Sequence, residues 1–211
     1  NAVPVKTKDF QWDINTSATF AKDEVTELNS TTTHVLDKNG YSYLQVGAPV
    51  QAFWAYEAEN CWNVGEWDKY VADMAEKGIT VEAPNSTYGQ PGTIRVKDQN
   101  NDGKINSDDK IIYDRTPDAI LGMTNTFSYK GFSLSVQMMA RLGGYMYYSG
   151  NGNMAWEGTN KANWGDLNYW SPATPNTIIP SPGLATKPDV DFLNAICMQK
   201  ADYFKIKDIT L

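Results

Sequence analysis

Residues 10 to 20 alternate in polarity. Phe10, Trp12, Ile14, Ala18 and Phe20 fall on one side of an extended chain, and Gln11, Asp13, Asn15, Ser17 and Thr19 fall on the other. Successive side chains of a strand point to opposite faces, so this period of two specifies a β-strand whose faces need different surroundings. An alternating run of eleven residues is about the length a tilted strand needs to cross a bilayer. It equally suits one long strand of a soluble sheet with a single wet face. The pattern breaks at Ala21-Lys22-Asp23-Glu24, which reads as a polar turn, and Ser30 to Gly40 reads as loop.

The alternation returns further on. Phe127 and Tyr129 lead into Lys130-Gly131, after which Phe132, Leu134, Val136 and Met138 alternate with Ser133, Ser135 and Gln137. Two strands joined by a tight Lys-Gly turn make a hairpin. Tyr203 to Leu211 is strand-like as well. A further strand is expected from Tyr41 through Val46 to Phe53, Trp54 and Tyr56, kinked or bulged at Gly47-Ala48-Pro49. Trp67, Tyr70, Val71, Met74 and Ala75 recur at helical spacing, with Gly78 as the stop. The connections near 57–120 and 141–200 are long, whereas those at Ala21 and Lys130-Gly131 are short. Counted strand by strand, short and long connections fall on opposite ends, which is the asymmetry of outer-membrane barrels.

Composition removes several classes of function. The net charge is −7, and no cluster of cations offers a surface for nucleic acid. His34 is the single histidine, so multi-histidine zinc sites are excluded. Cys61 and Cys197 are too few for a disulfide scaffold; they either pair or remain free and buried. No apolar run approaches the roughly 18 residues of a transmembrane helix, so a chain like this spans a membrane only with strands. Neither a phosphate-binding glycine loop nor a nucleophile–base set is present. Asn1 to Val5 resembles neither a secretory signal nor a mature cap, and the chain is expected to be a piece of something longer.

One motif carries specific chemistry. Asp98 to Asp109 fits a twelve-residue calcium loop, with ligands expected from Asp98, Asn100, Asp102, the Lys104 carbonyl, Asn106 and Asp109. Gly103 permits the sharp turn, and Ile105 can anchor the loop on apolar neighbours. Position 12 is Asp where the longer Glu is usual, so a bidentate grip is harder and affinity modest. The alternative is an Asx-rich turn cluster without metal. Trp54, Trp62, Trp67, Trp156, Trp164 and Trp170 lie mostly in the long connections. Of these, Trp62, Trp156, Trp164 and Trp170 are candidates for stacking on cargo, or else they pack the loops themselves.

At the calcium-like segment a family resemblance emerges. Pro91-Gly92-Thr93-Ile94-Arg95-Val96-Lys97-Asp98, followed by the NNDGKI run, resembles the "PGDIKYKDLNGDGKI" block of SusC/RagA-type TonB-dependent outer-membrane transporters. Lys8 to Trp12 with Phe20 to Val25, Val46 to Tyr56, Tyr129 to Val136, Tyr169 to Thr177 and Tyr203 to Leu211 resemble further blocks of that family in its order. Asp208, Cys61 and Cys197 depart from its pattern. The resemblance implies an all-β fold: residues 1–211 as a partial transmembrane antiparallel β-barrel, about five or six strands, with long extracellular loops near 57–120 and 141–200. It further implies no catalysis, a place in the bacterial outer membrane against its lipid, a SusD-like surface lipoprotein as partner, and TonB engaged through a region outside these residues. The implied cargo is an oligosaccharide or peptide. The residues alone also admit a secreted or surface calcium-stabilised β-rich glycan-binding module, or a fragment of an extracellular carbohydrate-active enzyme.

Overall fold

The alternating stretches pair with one another, although they lie far apart in sequence. The computed structural model describes residues 1–28, 34–36, 42–150, 168–182 and 190–211. In chain order the elements are β1 (Ala2–Lys6), β2 (Phe10–Thr19), β3 (His34–Leu36), β4 (Ser42–Gln45), β5 (Ala52–Tyr56), α1 (Glu66–Glu76), β6 (Lys110–Asp114), β7 (Ala119–Tyr129), β8 (Phe132–Leu142), β9 (Tyr145–Tyr147), α2 (Val190–Cys197), β10 (Met198–Lys200) and β11 (Tyr203–Thr210). Among the described residues they form a five-stranded sheet ordered β1-β2-β7-β8-β11, a four-stranded sheet β3-β4-β5-β6, and the pair β9-β10. Among the described residues these strands pair antiparallel.

The five-stranded sheet is a wall with two unlike faces. Directly opposed residues share a face, and the register sets Trp12 against Phe127, then Phe127 against Leu134. The next such row is Ile14, Asn125 and Val136, continued by Ile209 on β11. This face is apolar almost throughout; the opposite one carries Gln11, Asp13, Asn15, Ser128, Thr126, Ser133, Ser135 and Gln137. The apolar face covers no core. Phe132 is 72% exposed and Ile209 62% exposed, and within the wall only Ala119 and Asn125 are buried. Asn125 is tolerated there because the Trp12 indole N–H donates to its Oδ1 at 3.1 Å. Trp12 also stacks on Phe127 with ring centroids 5.8 Å apart. The sheet is an open stretch of barrel wall, one layer thick and not closed within these residues.

Its connections sort by end, as expected, but with different boundaries. The β7–β8 turn places Lys130 at φ 47° and Gly131 at φ 88°, the left-handed pair that matches strand twist in a tight hairpin. The Lys130 amide donates to the Asp9 carbonyl at 3.2 Å, so the short β1–β2 turn lies at the same end. From the other end leave two long excursions, residues 20–118 and 143–202. The Ala21 segment therefore does not join neighbouring wall strands; it opens the first excursion, which begins well before residue 57. Likewise, the Gly47-Ala48-Pro49 segment is the turn between two strands, β4 and β5, rather than a kink in one. Val25 holds that turn: its amide donates to the Ala48 carbonyl and its carbonyl accepts from the Gly47 amide, both at 2.9 Å.

The excursions supply their own core. Tyr56, Trp62, Tyr88, Ile94 and Val96 from the first bury together with Phe192, Leu193, Ala195 and Ile196 from the second. Helix α1 forms where the periodicity predicts it, with Glu66 and Asp68 in its first turn, where negative charge suits the helix dipole. Gly78, at φ 76°, ends it by donating to the Ala75 carbonyl at 2.9 Å. Cys61 and Cys197 are both buried, and no disulfide joins them.

Candidate functional site

The twelve-residue loop leaves the apolar cluster after Val96 and returns to the sheet at β6. Ile105 packs against that cluster, so its anchoring role holds. Gly103 sits at φ 82°, and a Cβ there would lie 2.9 Å from the Ile79 side chain and 3.0 Å from the Thr80 carbonyl. Only glycine fits both constraints.

The loop's oxygens turn inward onto its own backbone. Asp98 Oδ2 accepts from the Gly103 amide at 2.9 Å and from the Tyr70 hydroxyl at 3.1 Å, and Asp98 Oδ1 accepts from the Asp102 amide at 3.3 Å. Asn100 Oδ1 accepts from the Asp102 amide at 3.0 Å, and Asp102 Oδ1 accepts from the Lys104 amide at 2.8 Å. Asn106 Oδ1 takes the Asp108 amide at 2.8 Å. Asp109 is wholly buried. Its Oδ1 and Oδ2 accept from the Gln99 and Asn106 amides, each at 2.9 Å, tying the two ends of the loop together. Lys104 itself pairs outward with Glu82 at 2.8 Å, leaving position 7 its carbonyl as the candidate ligand. Oxygen donors alone are what a hard cation requires. Among the described residues no three His, Cys, Asp or Glu side chains converge as a metal-holding group. Asp109 acts as a strut across the loop ends.

Tyr70 couples this loop to α1. Burial first, then the hydrogen bond to Asp98, pushes the Tyr70 hydroxyl up to about 12. Glu57 supports the loop from below. Its carboxyl is held below the usual range, chiefly by the Gln99 side-chain amide and with help from Lys97. Beside these residues lies a cavity of about 200 Å³ walled by Trp62, Trp67, Tyr70 and Tyr88. Trp62 meets Trp67 and Tyr88 edge-on, at 5.2 and 5.7 Å between centroids. Arg95 lies 4.4 Å over the Trp62 ring and pairs with Glu59 at 2.6 Å and Glu66 at 2.8 Å. Nothing in the sequence pattern announces this ion triad, because its members come from segments joined only by the fold.

The tryptophan candidates separate. Trp62 is 2% exposed and Trp170 8% exposed. Trp170 donates its indole N–H to Asn63 Oδ1 at 2.9 Å, and a Cβ on Gly92 would lie 2.7 Å from its ring. Both rings are buried among the excursions, Trp62 with a place in the cavity wall. Trp156 and Trp164 lie outside the described residues. Trp54 stacks on Tyr43 at 5.3 Å, with Lys110 Nζ 4.8 Å over its ring.

No protein-family model matches the chain. It is 27% identical over its whole length to the TonB-dependent receptor SusC of Bacteroides thetaiotaomicron, of which it covers 19%. It is 26% identical over 89% of its length to the TonB-dependent receptor P3 of Formosa agariphila, covering 18% of that protein. The fold is similar to that of the RagAB peptide transporter, with TM-score 0.61, 18% identity, and 98% of this chain covering 21% of that one. The RagAB peptide importer in its closed-closed state gives TM-score 0.60 at 17% identity over the same shares. The chain thus spans about a fifth of the length of the proteins it matches.

Proposed function

We propose that this chain, a SusC/RagA-like stretch of a TonB-dependent transporter, forms part of an importer in the outer membrane of a bacterium. The observation that carries this reading is the one-layer wall: an apolar face that covers nothing, backed by a polar face, along strands paired in continuous register. Hydrocarbon is the surrounding that suits the first face, and a water-filled lumen suits the second. The short turns then face the periplasm, and the two excursions stand outside the cell, where a SusD-like surface lipoprotein meets them. TonB engages a part of the protein beyond these residues. The cargo is an oligosaccharide or a peptide, and the residues described contribute passage and positioning rather than catalysis.

Within this reading the 98–109 loop takes a calcium ion through Asp98, Asn100, Asp102 and the Lys104 carbonyl, with Asn106 assisting and Asp109 bracing the loop ends. The ion would neutralise the loop's carboxylates and stiffen an exposed excursion. It would perform no chemistry.

Labelling of intact cells tests the topology. In the full-length protein, Glu82→Cys reacts with a membrane-impermeant maleimide, whereas Lys130→Cys reacts only after the outer membrane is opened. Equal labelling of both in intact cells, or recovery of the protein outside the membrane fraction, refutes the importer. Deleting TonB abolishes uptake through the same protein.

A further inference from the structure

Two arginines of this acidic chain meet in one cavity. Arg141 lies near the end of β8 on the polar face of the wall, in register with Ile120 and Tyr203. Arg115 follows β6, its amide bonded to the Gln51 carbonyl at 3.1 Å. Both line a space of about 500 Å³ where the wall meets the excursions, together with Gln51, Phe53, Tyr145 and Tyr147. The lining contains no carboxylate.

The surrounding bonds fix the two cations without neutralising them. Arg141 donates from Nη2 to the Arg115 carbonyl at 2.7 Å, and Arg115 lies 4.8 Å over the Phe53 ring. Five other cations find acidic partners: Lys69 with Asp73, Arg95 with Glu59 and Glu66, Lys97 with Glu57, Lys104 with Glu82, Lys110 with Asp191. Among the described residues, neither Arg115 nor Arg141 has such a pair. The Arg141 Nε is buried with no hydrogen-bond partner among them. Gly144 makes the close approach possible, since a Cβ there would lie 2.8 Å from the Arg115 carbonyl and 3.0 Å from Arg141 Nη2.

A guanidinium is a planar fork of donors matched to oxyanions, and its charge strengthens its bonds to them. The flanking Phe53, Tyr145 and Tyr147 suit the carbon body of an organic acid better than a hydrated inorganic ion. From this we infer that Arg115 and Arg141 form a carboxylate-binding site on the luminal side of the wall, which selects cargo carrying negative charge. The inference rests on the importer reading above and narrows its cargo to acids, whether acidic sugars or peptides with a free C-terminal carboxylate.

Matched probes test it on the full-length transporter in detergent, by titration calorimetry: trialanine against trialanine amide, and trigalacturonate against its methyl ester. At least one acid should bind about tenfold or more tightly than its neutral twin, the size of one charge-assisted contact. The double substitution R115Q/R141Q should remove that preference, so that acid and neutral twin bind alike. Equal binding within both pairs overturns the inference on the unaltered protein alone, so a double variant that fails to fold does not shelter it. Preference retained in a folded double variant also overturns it, as does binding of none of the four probes. Displacement of the acids by equimolar inorganic phosphate overturns the carboxylate assignment in favour of a general oxyanion site. TonB-dependent uptake without discrimination between twins sinks this inference and leaves the importer standing. Acid binding by a protein found outside the membrane does the reverse.

Discussion

Asn125 interrupts the apolar face of the wall, in the row of Ile14 and Val136, and the Trp12 indole satisfies its side-chain oxygen. A buried acceptor that loses its donor costs about 1–3 kcal/mol. Trp12→Phe keeps the ring stack on Phe127 and deletes the donor, so the full-length protein in detergent should lose about that much stability, read as a lower thermal midpoint. Asn125→Leu combined with Trp12→Phe should recover much of the loss; a single variant as stable as the parent refutes this role. Cys61 makes a second case. Burial pushes its thiol up to about 12, so almost no thiolate exists at pH 8, and native protein should react with Ellman's reagent only when unfolded. Because the folded value is raised, the thiol's contribution to stability is intact below about pH 8.5 and fades as pH climbs toward 12. Rapid labelling of native protein at Cys61 contradicts this burial.

At the scale of elements, legibility followed local periodicity. The strand at Phe10, the hairpin at Lys130-Gly131, the helix with its Gly78 stop and the closing strand at Tyr203 could all be read, because a period of two or 3.6 is written in neighbouring residues. The β4–β5 hairpin could not, since the difference between a kinked strand and a turn there depends on Val25, a distant backbone partner. Trp62 and Trp170 were legible as aromatics in long connections, but not as buried ones: their surroundings come from both excursions. The twelve-residue turn was readable in its spacing, while the strut role of Asp109 depends on amides at either end of the loop. Titrating calcium into the full-length, chelator-treated protein should raise the melting temperature of the excursions, and Asp98→Ala with Asp102→Ala should abolish the rise. A rise retained by both variants would place the ion elsewhere.

At the scale of the molecule, the wall cannot hide its apolar face by itself. Residues such as Phe132, Phe204 and Ile209 stand open to the surroundings, and β1 and β11 are the outer strands of the sheet. Exposed apolar area and unpaired strand edges both drive association in water. Expressed alone, these residues should aggregate or require detergent, as size-exclusion chromatography will show. A monodisperse soluble monomer that melts cooperatively would falsify the membrane assignment of the wall.

The strands β2 and β7 lie side by side, yet residues 20–118 intervene between them. Closing so large a loop carries an entropic cost that the ladder recovers only once both strands are in register. The aromatic cluster of the excursions can meet part of that cost in advance, by drawing Thr19 and Ile120 together before any wall hydrogen bond forms. Folding of the excursions then becomes a kinetic gate on formation of the wall. Damage to Trp62, which lies outside the wall, would show itself first as delayed pairing of β2 with β7.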